Sequence, residues 1–134
     1  MDDRHMALIQ SFRDLEVYKL GREQAKQIFL ASKSFPKEEI YSLTDQVRRS
    51  SRAVNALIAE AWGRRRYAAA FVNKLNEALA EAMETQSWLD HALDCAYISA
   101  TLHRELDDGW QHIGAMLHRM MGRAETFCNS RQKQ

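Results

Sequence analysis

The sequence predicts an all-α protein, and more closely an antiparallel up-down-up-down four-helix bundle made of one domain over residues 1–134. One proline and five glycines interrupt the chain, and residues that lose little side-chain entropy in a helix are abundant. Apolar residues recur at alternating spacings of three and four, the period of one helical face. A chain of this length buries enough surface for a core without disulfides or metals. We expect that core over residues 11–128, with frayed ends.

The first helix is predicted between a capping pattern and the single proline. Ser11 and Asp14 have the spacing of a capping box, in which both side chains accept hydrogen bonds from backbone N–H groups at a helix start. Pro36 has no N–H group and cannot continue a helix. We therefore place a helix between Ser11 and Phe35.

The second helix is expected to begin at Ser42, which has Asp45 at the capping-box position, and to end at Gly63. One face carries a stripe formed by Leu43, Val47, Ser50, Val54, Leu57 and Ala61.

The third and fourth helices follow from two further stripes. The third helix carries Phe71, Leu75, Ala78, Ala82, Thr85 and Leu89. The fourth is capped by Ser99 and carries Leu102, Leu106, Gly109, Ile113, Met116, Met120, Ala124 and Phe127. Because the connections between these helices are short, sequential helices are predicted to be antiparallel neighbours.

Positive charge is concentrated in the middle of the chain. Residues 46–74 hold seven cationic side chains and one acid, a net charge of +6, whereas the whole chain has a net charge of +1. The other residues are therefore acidic on balance. The seven cations, our candidate binding residues, are Arg48, Arg49, Arg52, Arg64, Arg65, Arg66 and Lys74.

Two roles are open for these cations. Arg48, Arg49 and Arg52 share one side of the second helix, where like charges repel and Asp45 is the one acid within reach on that helix. The other three arginines fill a corner between helices, where they could bond terminal carbonyl groups. The alternatives are a charged surface, solvated or paired with Glu77, Glu81 and Glu84 of another subunit, and a site for an anionic ligand. For a nucleic acid, arginine forks would bind phosphates, and Trp62 and Tyr67 could stack on bases.

Other functional classes find no support in the sequence. No nucleophile-elbow, zinc-protease, P-loop or dinucleotide-binding motif occurs, so we predict that the protein is not an enzyme. His91 and Cys95 would give two metal ligands where three or four are needed, so we predict no metal and no cofactor. The spacing of Cys95 and Cys128 suits reduced thiols, and neither a basic signal peptide nor a membrane-spanning apolar run is present. We expect a cytoplasmic protein.

A series of sequence blocks carries a family resemblance. In order they are FRDL (12–15), VYK (17–19), FPKEE (35–39), YSLTDQVRRS (41–50) and IAEAWGR (58–64). Together they resemble the four-helix bundle proteins encoded in intervening sequences of bacterial 23S ribosomal RNA genes, from about residue 11 to residue 127. The family often has glycine where this chain has Ser42, Ala61 and Ala96.

The resemblance implies an assembly and a ligand. Members form a ring of five bundles, and the related accessory variability protein of diversity-generating retroelements is a pentamer that binds nucleic acid and a reverse transcriptase through a basic surface. The leading hypothesis is therefore a homopentamer that binds RNA or DNA through the seven cations. The alternatives are a structural or adaptor oligomer whose arginines form intersubunit salt bridges, and an accessory subunit of a reverse transcriptase.

Overall fold

The computed structural model describes residues 9–128, and its main elements are four long helices. These are α1 (Glu16–Ser32), α2 (Leu43–Gly63), α3 (Ala68–Asp94) and α4 (Ala100–Gly122), followed by the short α5 (Ala124–Phe127). Two 3₁₀ turns, Phe12–Asp14 and Lys37–Glu39, precede α1 and α2. Residues 9–128 contain no strand, so the all-α prediction is confirmed. The ends predicted to fray lie outside the described residues, except for positions 9 and 10.

The four long helices share one core. α1 packs against α2 and α4, and α3 packs against the same two helices. The largest fully buried side chains include Trp110, Phe71, Ile28, Ile58, Leu75, Leu89, Ile113 and Leu117. Burying one such side chain contributes about 1.5–3 kcal/mol, so the core fixes the helices that carry the surface residues described below.

The first capping box forms, but on a different element from the one predicted. Ser11 Oγ accepts a hydrogen bond from the Arg13 N–H (3.1 Å), and Asp14 Oδ2 accepts bonds from the N–H groups of Gln10 (2.9 Å) and Ser11 (3.0 Å). The two N–H groups hold the pKa of Asp14 below its ordinary value. The capped element is the 3₁₀ turn Phe12–Asp14, and α1 begins only at Glu16.

The predicted cap of α2 is wrong in its chemistry. Ser42 precedes the helix, but its side chain makes no capping hydrogen bond and its backbone has φ −127° and ψ −109°. Glu39 Oε1, in the 3₁₀ turn, accepts the Leu43 N–H instead (3.4 Å). The predicted end at Gly63 and the cap at Ser99, which accepts the Leu102 N–H at 3.0 Å, are both present.

Two connections depart from regular helix. The stripe predicted to run from Leu102 to Phe127 breaks at Arg123 (φ −116°, ψ 29°), and α5 then brings the Phe127 ring to 6.0 Å from the ring of Phe71. Between α3 and α4, Ala96 has a left-handed φ of 61°. Within residues 9–128, no helix is long and apolar enough to cross a membrane.

Candidate functional site

The seven predicted cations do not share one environment. Within residues 9–128 two ion pairs form, Lys19–Glu16 and Lys74–Glu77, and the His103–Asp90 contact is a third only when the imidazole is protonated. Lys74 is therefore neutralised by its own helix, at 3.1 Å, whereas none of the six arginines pairs with a carboxylate in this part of the chain. Asp45, the expected partner on α2, does not form an ion pair with Arg48 or Arg49.

Arg48 and Arg52 converge on an aromatic ring of α1. The guanidinium carbon atoms of Arg48 and Arg52 lie 4.8 and 5.8 Å from the centre of the Phe29 ring, and Lys33 Nζ lies 5.0 Å from it. Arg48 Nε also donates to Ser32 Oγ (2.8 Å). A ring attracts cations weakly, by about 0.5–1 kcal/mol each at exposed sites, and it does not cancel their charge. We call Phe29, Lys33, Arg48 and Arg52 the Phe29 cluster.

Arg65 has a structural role. Its Nε donates to the Trp62 carbonyl oxygen at the end of α2 (2.7 Å), and its guanidinium lies 3.5 Å from the centre of the Trp62 ring. Burial lowers the pKa of Arg65, but a guanidinium stays charged in proteins. The capping interpretation is thus confirmed for this residue, and Trp62, buried and covered by Arg65, does not offer its face to a base.

Arg49, Arg64 and Arg66 are exposed. Arg49 and Arg64 make no side-chain hydrogen bond or ring contact with any described residue, and Arg66 lies 5.7 Å from the centre of the Tyr67 ring. Tyr67 is 60% exposed, so it remains available for stacking. These three arginines are the freest of the predicted set.

A basic groove between α1 and α2 was missed by the sequence analysis. This α1–α2 groove has a volume of about 710 Å³. Its cationic lining residues are Arg13, Lys19, Arg22, Lys26 and Arg52, and Glu23 is its one acid. The aromatic side chains of Tyr18 and Phe29 also line it. Four of the five cations lie outside α2, so the density of arginine in residues 46–74 gave no sign of them.

Charge in the α1–α2 groove is poorly compensated. Glu23 Oε1 accepts a hydrogen bond from Gln27 Nε2 (2.9 Å) and forms no ion pair with a described residue. Lys19 pairs with Glu16 at 3.5 Å, with both side chains more than half exposed. Arg22 and Lys26 are four residues apart on α1, a spacing at which like charges repel. The groove therefore has an excess of positive charge.

A buried amide lies in the same groove. Asn55 is 8% exposed and lines it. Its Nδ2 donates a long bond to the Ser51 carbonyl (3.4 Å), and its Oδ1 has no hydrogen-bond partner in the described chain. Gly21 allows the close approach of α1 here, because a Cβ at that position would meet Asn55 Oδ1. Such an unsatisfied group costs about 1–3 kcal/mol.

The acids proposed as intersubunit partners have local contacts. Glu77 pairs with Lys74, and Glu84 Oε2 accepts a bond from Trp88 Nε1 (3.3 Å). Burial, and then the charge of Glu84, raise the pKa of Glu81. Within the single chain none of these acids pairs with an arginine among the described residues.

Between α3 and α4, polar side chains link the two helices. Asp90 Oδ1 lies 2.8 Å from His103 Nε2, and Gln86 Nε2 donates to Asp107 Oδ1 (3.2 Å). Asp90, His103 and Asp107 each offer a donor atom within 4.8 Å of the others, so they are the described residues placed to hold a metal ion. His91 and Cys95, the pair identified in sequence, are both exposed and belong to no such group.

Comparisons with known proteins agree with this architecture. Residues 13–119 match the model of a family described as 23S rRNA-intervening sequence protein. Among solved structures, the chain is similar to a protein of unknown function from the S23 ribosomal protein family of Bacteroides thetaiotaomicron VPI-5482, with 29% identity and a TM-score of 0.72. That alignment covers 79% of this chain and 95% of the other. A search of curated proteins gives no match.

Proposed function

The chain belongs to the family of 23S rRNA-intervening sequence proteins, and from that premise we propose that it is a non-catalytic, nucleic-acid-binding protein of the cytoplasm. Its ligand is RNA or DNA, held electrostatically through the arginines of α2 and of the α2–α3 corner. The carrying observation is that none of the six arginines pairs with a carboxylate within residues 9–128. The chain has 18 acids for 19 lysines and arginines, so the lack of pairing among the described residues does not come from a shortage of acids.

The local contacts of the seven cations support different roles for them. Arg65 is engaged by Trp62, and Lys74 by Glu77. We therefore assign phosphate contacts to the other five arginines and not to these two. Contacts of this kind give little sequence selectivity, because phosphates are common to every nucleotide.

The proposal includes an assembly. We propose an antiparallel up-down-up-down bundle that associates into a cyclic homopentamer. Support comes from apolar side chains left in solvent, with Met83 58% exposed and Leu30 46% exposed. Met83 borders a mainly apolar cavity of about 370 Å³ between α3 and α4, together with Leu79 and Gly114. A ring would repeat the arginine surface around one axis and raise the local potential toward a polyanion.

The test is a fluorescence-anisotropy titration of a structured RNA and a duplex DNA at about 50 and 200 mM salt. Binding should fall by about a thousandfold between these salt concentrations if the assembled surface neutralises six or more phosphates. The triple variant Arg49→Glu, Arg64→Glu, Arg66→Glu should weaken binding by more than about tenfold, because all three side chains are exposed and make no ion pair with a described residue.

A matched control changes the same number of exposed arginines on the other side of the molecule. Arg104→Glu, Arg119→Glu, Arg123→Glu carries the same change in net charge on α4 and its end. Because Arg119 lines the same cavity as Met83, the oligomer mass of this variant is checked by light scattering. If the two triple variants lose nucleic-acid affinity equally, the loss is due to the change in net charge and not to the position of the arginines. Absence of binding at the lower salt, with the oligomer intact by light scattering, would refute the proposal.

The second candidate is a structural or adaptor oligomer, favoured by the exposure of large apolar side chains such as Tyr41 (92%) and Ile40 (53%). In that role the arginines form intersubunit salt bridges with Glu77, Glu81 and Glu84. The same arginine variant would then lower the oligomer mass in light scattering. A further form of the first proposal is an accessory subunit of a reverse transcriptase, in which the enzyme and the nucleic acid both contact the basic surface. Co-purification with a reverse transcriptase tests it.

A further inference from the structure

The α1–α2 groove extends the basic surface from α2 onto α1, and its shape selects among nucleic acids. We propose that this groove binds a single-stranded segment of RNA or DNA, with Arg22 and Lys26 holding consecutive phosphates and the Phe29 cluster holding the next. The inference rests on the proposed function, and it adds a location and a strand preference that the arginines of α2 do not define.

The cations of α1 follow a line. Lys19, Arg22 and Lys26 lie at spacings of three and four residues, so they share one face of the helix and extend over about 10 Å of its axis. Glu23, the one acid in the groove, is hydrogen-bonded to Gln27. A line of positive charge along a groove fits the backbone of one strand, in which phosphates also follow a line.

The Phe29 cluster closes one end of that line. Three cationic groups lie within 4.8–5.8 Å of the centre of one ring, and no described carboxylate pairs with any of them. Their mutual repulsion remains in the free protein, and a phosphate placed among them would relieve it. The convergence of these three groups therefore points to an anion at this place.

The dimensions favour a single strand. Packed helices have axes about 8–10 Å apart, so the surface between α1 and α2 is narrow compared with a duplex, whose major groove alone is about 12 Å wide. The groove is open to solvent along its length, and its volume of about 710 Å³ is comparable with that of small-ligand sites. A separated strand can enter such a space with its phosphates and one or two bases.

Tyr18 and Phe29 both line the groove, eleven residues apart on α1, which is about 16 Å along the axis. The Phe29 ring is occupied by the three cations, so Tyr18 is the ring assigned to stack on an unpaired base. The Oδ1 atom of Asn55 lies against Gly21 in the contact of α1 with α2, so we assign it no contact with the ligand.

The experiment compares three ligands by fluorescence anisotropy: an unstructured single-stranded RNA, the single-stranded DNA of the same sequence, and the corresponding DNA duplex. We expect both single strands to bind more tightly than the duplex. With three phosphate contacts, single-strand affinity should fall about twentyfold between 50 and 200 mM salt. In Arg22→Ala, Lys26→Ala that fall should shrink to about threefold, because two contacts are lost.

Arg104→Ala, Arg123→Ala is the matched control, with two exposed cations removed from α4 and its end and no expected change in the salt dependence. Phe29→Leu keeps every charge but removes the shared ring. It should weaken single-strand binding without changing the salt dependence. The affinity then reports how the cations are positioned, whereas the salt dependence reports how many of them contact phosphates.

The outcomes distinguish the two proposals. If duplex and single strands bind equally, and binding depends on Arg49, Arg64 and Arg66 but not on Arg22 and Lys26, the proposed function stands and the groove inference is wrong. A mononucleotide that competes as well as the oligonucleotides would also overturn the inference, since the groove would then be a small-anion site. Failure of every nucleic acid to bind would refute both.

Discussion

The two sides of the molecule treat their charges differently. Between α3 and α4, Asp90 meets His103 at 2.8 Å and Gln86 donates to Asp107. On the α1–α2 side the cations gather at the Phe29 ring and along the groove, where Glu23 is the one acid. A net charge near zero therefore does not describe the surface of this protein, because the packing of the helices decides which charged side chains meet. An external partner is expected where the charges remain unmatched.

The strongest way to disturb the α1–α2 side is to push α1 away from α2. A Cβ at Gly21 would meet Oδ1 of Asn55, a short and buried side chain. Overpacking costs about 1–3 kcal/mol, and the better helix propensity of alanine returns up to about 1 kcal/mol. Gly21→Ala should therefore lower the free energy of unfolding by up to about 2 kcal/mol, measured by urea denaturation, and should weaken single-strand binding.

The matched control is Gly109→Ala, at the contact of α4 with α1. A Cβ there would meet the end of the Gln24 side chain, which is long enough to move aside. Its cost should be clearly smaller than that of Gly21→Ala, and binding should not change. Equal costs at both glycines would mean that the rigidity of Asn55 does not set the helix separation.

A smaller effect separates paired from unpaired charges. His103→Ala breaks the contact with Asp90 and also removes the packing of a half-buried ring, so it should lower the free energy of unfolding by about 1 kcal/mol. Arg22→Ala removes a cation that has no partner among the described residues, so its effect should lie within about 0.5 kcal/mol of zero. Thermal or urea unfolding at low salt measures both. A greater loss for Arg22→Ala would contradict the contrast.

The smallest expected effect is a pH dependence of stability, which arises at a hydrogen bond that links the α1–α2 side to the α3–α4 side. The Tyr97 hydroxyl, in the α3–α4 connection, donates to Glu39 Oε2 (2.8 Å) in the turn before α2. This hydrogen bond, aided by burial and by the charge of Glu39, raises the pKa of Tyr97 to about 12. The ordinary value is about 10, and a raised pKa favours the protonated phenol in the folded state. The stabilisation is therefore complete below about pH 10 and is lost as pH rises toward 12.

Comparison of the protein with Tyr97→Phe isolates this contribution. The difference between their free energies of unfolding should be constant below about pH 10 and should then shrink as the pH rises toward 12. Tyrosinate absorbance should show one late-titrating tyrosine that the variant lacks. A difference that stays constant up to pH 12 would show that the hydrogen bond is not the cause.

The second, third and fourth helices could be predicted from sequence because each has a long apolar stripe, and most residues of these stripes are buried in the core. Boundaries depended on chemistry that spacing alone does not define. The Ser11 box has the spacing of a helix cap yet caps a 3₁₀ turn, and Ser42 stands before α2 but is replaced in its role by Glu39. The predicted fourth helix was too long, since Arg123 leaves the helical conformation.

The candidate site was only partly accessible from sequence. Arg48 and Arg52 were recognised because they are close together on one helix. Their contact with Phe29, and the groove they share with Arg22 and Lys26, depend on how α1 lies against α2, which no local spacing encodes. Arg64, Arg65 and Arg66 could not be told apart in sequence for a similar reason. Arg65 differs from the other two because it packs on Trp62, a contact that depends on the folded structure.

The left-handed conformation of Ala96 has a consequence for the order of folding. For a residue with a Cβ this conformation costs about 1–2 kcal/mol, so the connection from α3 to α4 does not form readily on its own. It has to be closed by helices that are already packing, and it cannot serve as a folding nucleus. Ala96→Gly should then slow unfolding and leave the folding rate unchanged in stopped-flow measurements, which would mark this turn as one of the last parts of the chain to take its shape.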